Sequence, residues 1–321
     1  MPISIALLDD YLQVARDLAP WHTLPPEFTL EVFSEAFATE AEAAEKLRPF
    51  EILVAMRERT RFPESLLEQL PNLRLLVTTG MRNLSIDLEC ARQQGVTVCG
   101  TRMLGYPTAE LTWALILGLM RNLPAEAAAM QSGGWHVGLG LGLKEKTLGL
   151  FGLGKLGAQV AKIGLAFGMR VIAWSENLTT ERCAEVGVER VGREELFRES
   201  DVLSLHVVLS ERTRGAIGQQ ELSWMKPSAF LINTSRGPII EEAALLAALD
   251  QQRIAGAGID VYDQEPLPAD HPLRSTPNVL LTGHVGYVTR ENFQQAYGDV
   301  VENLLAWHSG TPVRVLNDAV G

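Results

Sequence analysis

The run Thr147-Leu-Gly-Leu-Phe151-Gly152-Leu-Gly154-Lys155-Leu156-Gly157 decides how the rest of this chain is read. Residues 148–151 form a short apolar stretch that suits a buried strand, and an amphipathic pattern opens at Lys155. A GxGxxG motif alone is weak; between a strand and a helix it specifies a dinucleotide-binding turn. Gly152 permits the tight turn, Gly154 lets the backbone approach a pyrophosphate, and Gly157 lets the helix pack close to the strand. The first helical turn, at Lys155 and Leu156, then offers free N–H groups and a positive dipole end to the phosphates.

Downstream, the sequence continues the same rhythm. Strands are expected at 147–151, 170–174, 202–207, 229–233, 256–261 and 279–282, with helices at about 155–167, 179–186, 241–249 and 291–309. Upstream, strands are expected at 3–8, 52–55, 73–78 and 97–99, separated by helices at 39–47, 64–69 and 85–94. A long buried helix is expected over 108–121, followed by a glycine-rich crossing segment at 138–142. Alternation of this kind predicts two parallel sheets covered by helices, each a doubly wound α/β domain. With six strands the second sheet looks complete, so the last helix and the extended tail 312–316 are expected to return to the first domain.

Composition narrows the classes. Hydrophobic residues make up 46% and charged residues 21%, a globular balance. A net charge of -11 gives no general attraction for nucleic acid or an anionic membrane, so an anionic substrate needs local cations. The longest apolar run, Leu111 to Met120, is too short to span a bilayer. The amino terminus has no basic n-region, and Cys90, Cys99 and Cys183 form no CxxC or metal-ligand spacing. A reduced, cytoplasmic setting is therefore expected, with no metal.

In open parallel sheets, ligands bind outside the carboxyl ends of the strands. Three successive strand ends in the second series carry Arg236, Glu265 and His284. Each residue type has a task in reducing a 2-oxo acid. His titrates near neutrality and can exchange a proton with the substrate oxygen. A carboxylate beside it stabilises the imidazolium and fixes the ring. Arg offers a planar fork for a carboxylate. Singly, each side chain has an ordinary structural explanation; jointly, downstream of a nucleotide turn, they point to catalysis. His206, at another strand end, reads as a cofactor-lining or packing residue. His22, His136, His271 and His308 read as structural.

Cofactor choice is less determined. The acid that usually holds the adenosine ribose hydroxyls belongs at the tip of the second strand, and here that tip is Ser175. Glu176 is adjacent, no Arg or Lys stands at 175–178, and NAD(H) and NADP(H) stay equally open.

With these residues in place, the chain resembles the D-isomer-specific 2-hydroxyacid dehydrogenases over nearly its whole length. The matching segments are 95–101, 108–110, 134–135, the glycine turn, 200–206, 233–237 (Asn-Thr-Ser-Arg-Gly), 260–266 (Asp-Val-Tyr-Asp-Gln-Glu-Pro) and 284–286 (His-Val-Gly). The resemblance implies a Rossmann domain at 104–286 inserted into a flavodoxin-like substrate domain formed by 1–103 and 287–321. It implies that Arg236 binds the substrate carboxylate, that His284 is the acid/base and that Glu265 is its partner. A cofactor set of Gly152, Gly154, Lys155, Leu156, Gly157, Ser175, Asn177, His206, Val207, Thr213, Thr234, Asp260 and Gly286 follows, with Asp260 on the nicotinamide amide. Gly80 and Met81 match a loop whose amides bind the substrate carboxylate, and Arg57 is a candidate for a second anionic group. Glu265 argues against formate as substrate, because formate dehydrogenases of this superfamily carry Gln there. Glyoxylate, hydroxypyruvate and phosphoglycerate remain the substrate classes, a serine-regulated form is not expected, and a homodimer is implied. A non-enzymatic NAD(H)-sensing corepressor on the same fold is the alternative. Departures from the family pattern are Gly283 in place of Pro, which suggests a looser histidine loop, Val208 in place of Pro, Ser175 in place of Asp, and bulky Tyr287.

Overall fold

Strand after strand in this chain is apolar on both faces, and such strands are stable only inside a parallel sheet covered on both sides. The computed structural model, which describes residues 2–318, contains two such sheets. The chain packs as two compact units. One comprises the stretch up to Leu104 together with the stretch from Thr289; the other is Gly105–Val288.

The first unit contains β1 (Ile3–Leu7), β2 (Phe28–Val32), α1 (Glu40–Leu47), β3 (Ile52–Ala55), α2 (Glu64–Leu67), β4 (Leu75–Thr78), α3 (Leu88–Gln93) and β5 (Thr97–Cys99). The second unit runs α4 (Pro107–Met120), α5 (Leu123–Gln131), β6 (Thr147–Phe151), α6 (Lys155–Ala166), β7 (Arg170–Trp174), α7 (Thr180–Val186), β8 (Glu189–Arg190), α8 (Arg193–Glu199), β9 (Val202–Leu205), α9 (Gln219–Trp224), β10 (Phe230–Asn233), α10 (Glu242–Asp250), β11 (Gly256–Ile259) and β12 (Val279–Leu281). Finally α11 (Arg290–His308) rejoins the first unit.

The first sheet has the order β2-β1-β3-β4-β5, all parallel. This is the flavodoxin-like winding, and its order reverses between β1 and β3. The second has the order β12-β11-β10-β9-β6-β7-β8. It is the Rossmann winding with one strand added at an edge, and its reversal lies between β6 and β9. Seven strands replace the expected six. The strand not expected, β8, is the third of the Rossmann order and only two exposed residues paired to β7, too short to leave an alternating pattern; the strand beyond the Rossmann six is β12. Edge strand β2 was also not expected; its residues Phe28 to Val32 alternate between half-buried and exposed.

The tail returns to the first unit through side-chain chemistry more than strand pairing. Val315 bridges Cys99 in an antiparallel sense. Asn317 accepts the Val98 N–H at 2.9 Å and donates to the Val96 carbonyl at 2.8 Å, so its amide mimics one more strand residue. Within the second unit, α4 is buried against β10, β11 and α6, which accounts for its apolar run. Among the described residues, no helix is long and apolar enough to cross a membrane.

A buried carboxylate ties α11 to the segment after β5 within the first unit. Asp299, on α11, is 2% exposed, and its carboxylate accepts from the backbone N–H of Arg102 (2.7 Å), from Arg102 Nε and Nη2 (3.0 and 2.6 Å) and from Gln295 (3.0 Å). Burial opposes its ionisation, but these donors and Arg314 hold the carboxyl below the usual range. A lowered folded-state pKa stabilises above the unfolded-state value and ceases to do so as pH falls through the folded value. Asp299→Asn is therefore expected to cost about 1–3 kcal/mol at neutral pH. Urea unfolding should show that difference shrinking toward acid pH; a difference independent of pH would count against the ion pair.

Candidate active site

The carboxyl edge of the second sheet gathers the polar residues that matter. At its reversal point, β6 ends in the glycine turn. Gly152 has φ +109°, and a Cβ there would lie 2.5 Å from the His206 carbonyl oxygen; a Cβ on Gly157 would lie 2.3 Å from the Gly152 carbonyl. Only glycine fits where β6, α6 and the end of β9 meet so closely. Gly154, by contrast, faces open space and caps α6 with no side-chain hydrogen bond. The first amides of α6, at Lys155 and Leu156, thus stand at the positive end of a twelve-residue helix.

His206 sits beside this turn. Its Nε2 meets Ser204 Oγ at 3.0 Å, while Nδ1 is buried and has no partner among the described residues. Burial pushes its pKa down to about 4, so the ring is neutral near pH 7. An uncharged, half-satisfied imidazole beside a glycine cradle open in front of helical amides fits a dinucleotide. Val207 is half-buried next to it, and Thr213 bonds the Val208 carbonyl at 2.7 Å, closing the following loop. At the tip of β7, Ser175 is half-buried and Asn177 exposed.

Two strands further along, β10 ends at Asn233, whose amide shapes the turn that carries Arg236. Asn233 Oδ1 accepts from the Ser235 N–H at 3.0 Å, and Nδ2 donates to the Arg236 carbonyl at 2.9 Å. Ser235 Oγ ties this turn to β9 through the Leu205 carbonyl at 2.7 Å. Arg236 is half-buried, with Nη1 on the Ser235 carbonyl at 2.7 Å. Thr234 meets Thr112 of α4, hydroxyl to hydroxyl, at 2.8 Å.

His284 and Glu265 are in contact. His284 Nδ1 lies 2.6 Å from Glu265 Oε2, and the side chains are 17% and 29% exposed. Glu265 Oε1 accepts the Tyr262 N–H at 2.9 Å. Burial works against the Glu265 carboxylate, but the hydrogen bond and charge of His284, the Tyr262 amide and the charge of Arg236 together hold its pKa below the usual range. The carboxylate is therefore ionised at neutral pH and fixes one ring nitrogen. That leaves Nε2 as the nitrogen with which His284 can exchange a proton. Tyr287 stands edge-on to the ring, 5.4 Å away at 87°.

Asp260 holds the loop that carries this histidine. It is 1% exposed; Oδ1 accepts from Thr282 (2.6 Å) and the Val285 N–H (2.8 Å), and Oδ2 from the Gly286 N–H (2.9 Å). The Asp260 carbonyl also accepts the His284 N–H at 2.7 Å. His284 itself takes a left-handed φ of +54°. Gly283 does not, and a Cβ there would meet nothing within 4 Å, so the expected looseness at Gly283 is offset by the Asp260 clasp. The resemblance gave Asp260 to a nicotinamide amide; in the structure its oxygens accept from three donors of the 282–286 segment.

Two residues of this site were not singled out from sequence. The Tyr262 hydroxyl bonds the carbonyls of Thr282 (2.8 Å) and Ile259 (3.1 Å), bracing the ends of β11 and β12, and Thr282 bonds Asp260. Position in the run 260–266 was the available signal, since a tyrosine between two acids at a strand end has a hydroxyl to place.

The other sequence-derived residues lie in the first unit. Arg57, φ +53°, follows β3; its N–H bonds Thr79 Oγ1 (2.9 Å), Nη1 bonds the Thr79 carbonyl (3.1 Å) and Nη2 lies 3.5 Å from Glu58. Gly80, φ +101°, leaves room for this guanidinium: a Cβ would lie 1.9 Å from Arg57 Nη1. The Gly80 N–H is taken by Thr101 Oγ1 at 2.9 Å, whereas Met81 is 49% exposed.

Comparison with known proteins agrees with this architecture. The profile described as D-isomer specific 2-hydroxyacid dehydrogenase, NAD binding domain, matches residues 113–286. A glyoxylate reductase from Aeropyrum pernix is 38% identical over 311 residues, covering 91% of this chain and 93% of that protein. A D-3-phosphoglycerate dehydrogenase from Bacillus subtilis is 35% identical over 276 residues, 85% of this chain but 52% of that one. The crystal structure of a putative D-3-phosphoglycerate dehydrogenase oxidoreductase from Ralstonia solanacearum has a TM-score of 0.93 and 36% identity, covering 98% of this chain and 97% of that one. These relatives do not favour the corepressor alternative. The chain belongs to the D-isomer-specific 2-hydroxyacid dehydrogenase family and is an oxidoreductase that moves a hydride between a nicotinamide cofactor and a 2-oxo/2-hydroxy acid pair.

Proposed function

We propose that this chain reduces a short 2-oxo acid of the glyoxylate or hydroxypyruvate kind, with His284 as proton donor. The 2.6 Å contact between His284 and an ionised Glu265, on the edge that also bears the glycine turn, carries the reading. Reduction adds a hydride to the carbonyl carbon and a proton to its oxygen; the nicotinamide supplies the hydride when bound. Arg236 binds the substrate carboxylate as a fork and draws charge from the carbonyl. His284 gives its Nε2 proton to the forming alkoxide, and Glu265 stabilises the imidazolium from which that proton comes and keeps the ring aimed. In the oxidative direction the same nitrogen accepts the proton. Gly154, Lys155 and Leu156 hold the pyrophosphate through backbone amides. Ser175, Asn177, His206, Val207, Thr213 and Thr234 line the rest of the dinucleotide, and the clasp from Asp260 to Gly286 supports the nicotinamide end.

A short substrate is favoured over a phosphorylated one by Arg57. Its guanidinium is already engaged with the Thr79 carbonyl and Glu58, the pattern of a residue that orders its own loop. Nicotinamide absorbance assays should give kcat/KM for glyoxylate or hydroxypyruvate at least ~10-fold above that for phosphohydroxypyruvate. The reverse order would transfer Arg57 to the substrate. His284→Ala is expected to lower kcat by at least ~100-fold, the scale of lost general acid–base catalysis, with cofactor binding retained. Turnover close to that of the parent protein would remove His284 from the mechanism.

The chain is also proposed to form a homodimer in a reducing, cytoplasmic setting. Its three cysteines are free and buried. Leu123, Met130, Trp135, Val137, Leu139 and Leu141 stand exposed on α5 and the segment after it, Leu139 at 96%, a cluster of the kind that marks an interface. Sedimentation of Leu139→Asp should show a shift from dimer toward monomer. A parent protein that sediments as a monomer would end this reading.

A further inference from the structure

The tip of β7 is where an adenosine ribose is distinguished from its 2′-phosphorylated form, because the glycine turn sets the pyrophosphate beside it. A carboxylate at this tip bonds the ribose hydroxyls and repels a phosphate. Ser175 stands there instead, half-buried, and the neighbouring Glu176 is exposed. Two arginines reach this tip from later elements. Arg182, on α7, donates Nε to the Leu153 carbonyl within the glycine turn at 3.4 Å. Arg190, on β8, donates Nε to the Leu178 carbonyl at 2.8 Å, just past the 175–177 loop.

Anchoring through Nε leaves the terminal nitrogens of a guanidinium as an outward fork, the shape that matches a phosphate. Arg182 directs Nη1 to Glu185 at 2.9 Å, but those side chains are 41% and 64% exposed. A solvent-exposed pair of that kind is weak and yields to a dianion. Of the nearby acids, Glu176 is exposed at the tip itself, and two others are committed elsewhere. Glu181 bonds its own backbone and Thr179 at the start of α7, and Glu189 is paired with Arg170. A third arginine, Arg193, lies over the Trp174 ring at 5.5 Å and is held by the Ala216 carbonyl and Glu221 at 2.6 and 3.0 Å. It adds positive potential without being a ligand.

We infer that this chain prefers NADP(H) to NAD(H), with Arg182 and Ser175 binding the 2′-phosphate and Arg190 adding charge beside it. The inference rests on the glycine turn being a dinucleotide site, as proposed above. Sequence reading left the choice open because neither arginine lies within 175–178; the α7 helix and the β7–β8 pairing bring them back to that loop.

Calorimetric titration of the whole protein with NADPH and with NADH tests this without turnover. Charge-assisted hydrogen bonds to one phosphate should make NADPH bind about 10–100-fold more tightly. That advantage should narrow with added salt. Arg182→Gln should bring the ratio of the two affinities to within a few-fold of one, and Ser175→Asp should reverse it. Binding of NADH as tight as NADPH would overturn the inference while leaving the dinucleotide site in place. A preference that survives Arg182→Gln would overturn the assignment of Arg182. Failure of both dinucleotides to bind would overturn the reading of the glycine turn, and the inference with it.

Discussion

A single sealed carboxylate holds the chemistry of this protein in place. Asp260 directly follows β11, and from there it draws in the Thr282 hydroxyl, two amides of the 285–286 turn and, through its carbonyl, the amide of His284. Strands can end on a common edge without their side chains converging; the loops after them must also be fixed. The clasp supplies that constraint for His284, whose left-handed backbone costs on the order of 1 kcal/mol or more and persists only when its surroundings over-determine it. Burial pushes the Asp260 carboxyl upward in pKa while the donors oppose the shift. A buried acceptor with this many partners is costly to disturb, so the imidazole inherits rigidity from a residue that need not touch substrate.

Close backbone approach is the complementary device at the other end of the edge. The glycine turn brings α6 within reach of both β6 and the end of β9, so amides rather than side chains line the place proposed for the pyrophosphate. This matters in a protein of net charge -11. General attraction for an anion is absent, and every anion-binding function has to be local, which is why the proposed roles fall to helical amides for a pyrophosphate, the Arg236 fork for a carboxylate, and Arg182 with Arg190 at the tip of β7.

How far this was legible from sequence depends on how many residues each feature spans. The interior strands were visible because each is a continuous apolar run bounded by turn residues, as in Leu75–Thr78 and Val202–Leu205. The elements that escaped were short or ambiguous in period. β8 has two residues, α8 and α9 have seven and six, and α5 buries none of its side chains, so no stripe marks it. Arg236, Glu265 and His284 could be nominated because each lies in the loop that follows a strand. The roles of Tyr262, Thr282 and Arg182 could not, since they depend on which carbonyl or carboxylate lies opposite after folding. Pairwise spacing along a chain carries no record of the hydrogen bond between Tyr262 and Thr282, twenty residues apart.

The two histidines at this edge show how environment divides one residue type between two tasks. His206 is enclosed beside the glycine turn with only a serine hydroxyl for company; burial pushes its pKa down to about 4, and it stays neutral. His284 is also largely enclosed, but Glu265 lies 2.6 Å from Nδ1 and is itself kept ionised by Tyr262 and Arg236. Charge on the second ring is compensated, whereas charge on the first is not. Desolvation alone thus suits a ring to lining a site, and desolvation beside a fixed carboxylate suits one to the proton exchange proposed for His284. The distinction does not require different strand positions, because both side chains follow parallel strands of one sheet. It requires that the 260–266 segment fold back so that Glu265 meets the histidine of the next strand, which is the service the Tyr262 amide and hydroxyl perform together.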